Sequence, residues 1–87
     1  MNVTQTTQFR RDAKKQRKRG KDLTKIREVT DILIAGEDLP EKSRDHTLSG
    51  NWKGWRDCHI EPDWVLIYKL LPDELVLGRT GSHSDLF

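Results

Sequence analysis

Apolar residues are sparse at the start of the chain and change their spacing near Pro40, and that change predicts the architecture. The stretch "NVTQTT" at 2–7 is β-prone and short, which predicts a first strand. In "FRRDAKKQRKR" only Phe9 and Ala13 are apolar. A helix capped by Thr7 and running to about Arg19, where Gly20 stops it, therefore has a thin inner stripe and an almost wholly cationic outer face. Asp22 can cap a second helix, in which Leu23, Ile26, Val29 and Leu33 recur at spacings of three and four and form a dry face; Gly36 and Pro40 end it. Beyond Pro40 the period is strand-like. "HTLSGNWKGWRDCHI" reads as two short strands or the start of one around Gly50 to Gly54. Pro62 and Asp63 turn the chain into "WVLIYKLL", and "LPDE" turns it again into a last strand, "ELVLGRTGSH". The order predicts an α+β fold: two N-terminal helices packed on one face of a small, mainly antiparallel sheet, residues 1–87 forming a single domain.

All three tryptophans fall in "GNWKGWRDCHIEPDW" at 50–64, interleaved with charged side chains that are costly to bury unpaired. In a strand over 55–60, alternation places Trp55, Asp57 and His59 on one face and Arg56, Cys58 and Ile60 on the other. Cys58 and Ile60 suit the helix-covered side, so Asp57 and His59 face the open side of the sheet, where a substrate can lie. Arg56 breaks the pattern unless it snorkels to the rim.

Composition adds a lean core: 33% hydrophobic and 34% charged residues, with a mean hydropathy of −0.82, leave room for a stabilising partner. Cys58 is the lone cysteine, so no internal disulfide forms. With neither a signal-like stretch nor a long apolar run, the chain reads as a soluble, cytoplasmic protein with no membrane role. The net charge of +2 hides a polarity. Residues 1–27 hold ten Lys and Arg against Asp12 and Asp22, a surplus of eight, whereas the remainder holds six basic against twelve acidic residues. One end of the molecule is built for a polyanion or an acidic partner.

The candidate chemistry sits at the other end. His46, His59 and His83 all lie in the strand-rich half, each near a carboxylate: Asp45, Glu61 and Asp63, or Asp85. Imidazoles move protons at neutral pH and carboxylates orient them. RNA is cut without metal when one group takes the 2′-OH proton, another protonates the leaving 5′-oxygen and a cation steadies the phosphorane; Arg56 and Arg79 are the candidate cations. A zinc site from the three histidines and Asp63 is the alternative, against which stand the wide spacing and the absence of a Cys pair. The residues alone support an RNA-binding domain and permit a nuclease.

"DHTLSGNWKGWRDCHIEPDWVLIYK" at 45–69, followed by "RTGSHSDLF" at 79–87, resembles the YafQ-type branch of the RelE/ParE toxin superfamily, over essentially the whole chain. The resemblance implies a RelE-like fold and the toxin of a type II toxin-antitoxin pair: an mRNA interferase, a ribosome-dependent endoribonuclease that needs no cofactor and is silenced by a cognate antitoxin. It also implies His46, His59, Asp63 and His83 as the catalytic set, with Phe87 on the substrate. Trp55 stands where the motif commonly has Tyr, and Cys58 occupies a small-residue position. The resemblance gives the basic helix a role, with Lys14, Lys15, Arg17 and Lys18 docking ribosomal RNA around the mRNA substrate. Asp63 and His59 are expected to act as a unit, and His83 as the general acid. A catalytically silent RNA- or ribosome-binding regulator is the alternative.

Overall fold

Thr6, one residue earlier than the sequence suggests, caps the first helix in the computed structural model, which describes residues 1–87. Its Oγ1 accepts from the Phe9 N–H at 3.0 Å and donates to the Gly78 carbonyl at 2.8 Å, so the cap also ties the helix to the sheet. The elements run β1 (Asn2–Gln5), α1 (Thr7–Lys18), α2 (Thr24–Ile34), β2 (His46–Thr47), β3 (Arg56–Glu61), β4 (Trp64–Leu71), β5 (Glu74–Gly81) and α3 (His83–Leu86). Asp22 does support the start of α2, its Oδ1 accepting from both the backbone N–H and the hydroxyl of Thr24. Gly36, at φ 73°, lies just beyond that helix.

The five strands form one sheet in the order β1-β5-β4-β3-β2. Every pairing is antiparallel except that of the edge strand β1 with β5, which is parallel. The expected α+β arrangement, with two long helices against a mainly antiparallel sheet, is the observed one. The last strand, however, stops at Gly81; Ser82 caps a short helix with a reciprocal Ser82–Asp85 box, and His83 therefore sits on a helical turn instead of a strand.

The helix side of the sheet carries the main core: Phe9, Ile26 and Leu33 pack on Cys58, Trp64, Leu66, Tyr68, Leu75 and Leu77. Each such side chain contributes about 1.5–3 kcal/mol by leaving water. The opposite face holds a smaller cluster, in which Val65, Ile67 and Leu86 are covered by Leu48, Trp52 and Trp55. The tryptophans thus divide. Trp64 is fully buried on the helix side and donates its Nε1–H to Thr80 Oγ1 at 2.8 Å, while Trp52 and Trp55 roof the other face. Trp55 lies so close over Gly78 that a Cβ there would stand 2.5 Å from the ring. Two register shifts bend the sheet, one between Ile67 and Tyr68 and the other between His59 and Glu61, beside the candidate chemistry.

Candidate active site

Strand register brings together what the sequence spreads apart. His46 pairs with Asp57, and Asp57 with Ile67; two residues further along β3, His59 pairs with Val65, which pairs with Gly81. The chain leaves Gly81 into α3, so His83 arrives beside His59, their ring centroids 5.1 Å apart. Phe87 closes the far side, its ring centroid 6.3 Å from that of His83.

Asp63 belongs to His83. Its Oδ1 accepts from the His83 backbone N–H at 3.1 Å and meets His83 Nδ1 at 2.8 Å. With Nδ1–H donating to that carboxylate, Nε2 is left for a substrate. The imidazole contact, seconded by the backbone N–H, holds the Asp63 carboxyl below its ordinary value. The expected Asp63–His59 unit is therefore corrected to Asp63–His83: the turn after β3 directs the carboxylate across to α3.

A bidentate grip from the basic helix fixes α3 in turn. Arg19 Nη1 and Nη2 donate to Asp85 at 2.7 and 3.2 Å, and Lys15 Nζ stands 3.5 Å away. The Arg19 contact is the first cause of a strongly lowered Asp85 carboxyl, and the Ser82 backbone N–H is the next.

Beneath the histidines lies Asp57, only 3% exposed. Burial raises its carboxyl above the usual range, while His46, His59 and His83 pull the other way. Its Oδ1 lies 3.0 Å from His46 Nδ1 yet has no hydrogen bond, because Nδ1 is engaged at 2.7 Å by the Arg44 carbonyl. Strand alternation places Asp57 on this face, but its position next to His46 shows only in the register. Cys58, on the other face, is inert: burial pushes its thiol up to about 12.

Neither arginine named as a phosphate cation is free. Arg79 Nε and Nη2 fork onto buried Asp12 at 2.9 and 3.1 Å. Arg56 snorkels to the rim, where its Nε donates at 3.1 Å to Asp45, which also accepts from Tyr68 Oη at 2.6 Å. Lys14, Lys15, Arg17 and Lys18 are all exposed on α1, as expected, and remote in sequence from the histidines. No three His, Cys, Asp or Glu side chains converge as a metal-ion site, and no helix is long and apolar enough to cross a membrane.

Known proteins share both sequence and geometry with this chain. It is 47% identical over 81 residues to the mRNA interferase toxin YafQ of Escherichia coli (strain K12), covering 92% of this chain and 88% of that protein. The toxin in the E. coli DinJ-YafQ complex superposes with a TM-score of 0.90 at 44% identity, covering 99% of this chain and 97% of that one. A metal-bound toxin from Helicobacter pylori matches with a TM-score of 0.92 at 36% identity, over 100% of this chain and 99% of that one. Residues 1–87 match the family described as "Bacterial toxin of type II toxin-antitoxin system, YafQ". The chain belongs to that family.

Proposed function

We propose that this protein is an endoribonuclease, the toxin partner of a cognate antitoxin, and that it cuts mRNA on the ribosome by metal-independent acid–base chemistry. The observation that carries the reading is the Asp63–His83 contact of 2.8 Å beside His59 and Phe87. A protonated His83, oriented through Nδ1, presents Nε2–H to the leaving 5′-oxygen; His59 or His46 takes the 2′-OH proton, and the attacking 2′-oxygen closes a cyclic phosphate. Phe87, exposed and adjacent, stacks or wedges a base but transfers no proton. The YafQ relatives are called mRNA interferases, and the DinJ-YafQ complex supplies the analogy for the antitoxin. The surplus of positive charge on α1 fits ribosomal RNA.

Mapping cleavage ends on a message translated by purified ribosomes tests this. The expected products carry a 2′,3′-cyclic or 3′-phosphate and a 5′-hydroxyl, and chelation of trace transition metals at fixed magnesium leaves the rate unchanged. His83→Ala should lose on the order of 10²–10⁴ in rate and far less on a 5′-thio leaving group, which needs no proton. Products with a 5′-phosphate refute the chemistry. A protein that binds ribosomes without cutting is the silent regulator instead.

A further inference from the structure

We infer that Arg44 is the phosphate-binding cation of the cleavage site. The inference rests on the cleavage reaction proposed above. Its first support is conformational. Arg44 is the one non-glycine residue with positive φ, at 46°, in the left-handed region that costs a side-chain-bearing residue free energy. Such an outlier persists where the surroundings impose it, and it points toward function. Here the conformation turns the Arg44 carbonyl onto His46 Nδ1 at 2.7 Å, fixing the ring of a candidate base.

That carbonyl explains the backbone but not the side chain, since glycine would present the same carbonyl without strain. The guanidinium itself is exposed and makes neither a hydrogen bond nor an ion pair, although Asp45 is adjacent in sequence; Asp45 is instead taken by Arg56 and Tyr68. Arg44 lines the same groove as His59, together with Lys42; Lys25 also lines it but is held by Glu61. Arg56 and Arg79 are held by carboxylates, so Arg44 is the arginine that the register leaves uncommitted beside the histidines. A guanidinium forks onto two phosphate oxygens, which is the geometry that a phosphodiester under attack offers.

Arg44→Gly and Arg44→Asn separate the side chain from the backbone, because both residues accept the left-handed conformation. With ribosomes translating a defined message, each variant should lose on the order of 10² in kcat/KM, comparable to removal of one anion-stabilising donor. The slope of log kcat/KM against log salt should flatten by about one. Arg44→Gly should nevertheless melt at or above the wild-type temperature, which a merely structural arginine would not allow. Wild-type kcat/KM in either variant, or an activity loss matched by a fall in melting temperature in both, overturns the assignment. Failure of the wild-type protein itself to cut RNA would instead overturn the proposed function.

Discussion

Asp12 is a residue whose loss this fold should tolerate poorly, although it sits in the middle of a cationic helix. Its carboxylate is buried and accepts four hydrogen bonds: from Gln8 Nε2 at 3.1 Å, Arg79 Nε at 2.9 Å, Arg79 Nη2 at 3.1 Å and the Thr80 N–H at 3.2 Å. Asp12→Ala strands the donors of two residues, Thr80 and Arg79. The buried Thr80 N–H loses that partner, at a cost of about 1–3 kcal/mol. Breaking a buried ion pair costs about 3–5 kcal/mol, but the Arg79 side chain is 26% exposed and can turn partly to water, so about 2 kcal/mol is the appropriate share. The sum, about 3–5 kcal/mol, is a large part of the 5–15 kcal/mol that holds a domain of this size folded. At 4–8 °C per kcal/mol, melting should fall by at least about 12 °C. Urea and thermal unfolding measure it directly. Asp12→Asn, which keeps one acceptor oxygen, should fall between. In the cycle with Arg79→Met, the double variant should lose clearly less than the two singles combined, because the first substitution already breaks the pair. A loss below 1 kcal/mol, or additive singles, refutes the reasoning. The same variants test the site: assayed cold enough to stay folded, Arg79→Met should cut RNA as Asp12→Ala does. A selective loss in Arg79→Met would return Arg79 to the phosphate.

Replacing Lys14, Lys15, Arg17 and Lys18 together by Ala should weaken ribosome binding without unfolding the domain, since all four are exposed; each lost phosphate contact should flatten the slope of log affinity against log salt by about one, and an unchanged slope assigns the helix another partner. Glu61, gripped by Lys21 at 2.8 Å and Lys25 at 2.7 Å, has its carboxyl drawn from 4.5 down to about 2. A depressed carboxylate stabilises the fold above its unfolded pKa and loses that contribution as pH falls through the folded one. The stability gap between wild type and Glu61→Gln should therefore hold above about pH 5 and close between 4.5 and 2; a gap unchanged at pH 2.5 in urea titrations contradicts it.

The layers of the fold were legible because each rests on a local period. Leu23, Ile26, Val29 and Leu33 mark a helix face by spacing alone, and alternation assigned Cys58 to the core and Asp57 and His59 to the open side before any pairing was known. The ends were less legible. Thr6 and Thr7 are equivalent as letters; the cap falls to Thr6 because its hydroxyl also reaches Gly78, 72 residues away. α3 left a readable trace, Ser82 and Asp85 at capping-box spacing, but it is four residues long, and a single buried leucine, Leu86, is too short a pattern to show a period.

The site divides along the same line. Which residue types could carry the proposed chemistry is a matter of composition, and the three histidines and Asp63 are visible as candidates in the sequence. Which of them pair is a matter of register, and adjacency in sequence misleads there. Asp63 lies four positions from His59 and serves His83, 20 residues away. Arg79 lies near His83 in sequence and is spent on Asp12, 67 residues away. A charge count treats every cation as the same reagent, whereas the structure separates them into tethers and free ends. Lys15, Arg19, Lys21, Lys25, Arg56 and Arg79 reach carboxylates on other elements, and Lys14, Arg17, Lys18 and Arg44 do not. A cation already shared with a carboxylate has little attraction left for a phosphate. The electrostatics that an RNA would meet are therefore those of the untethered group: several members, Lys14, Arg17 and Lys18 among them, lie on α1, and Arg44 lies beside His46. Placement of charge, more than its amount, sets where a phosphodiester can come to rest within reach of the histidines.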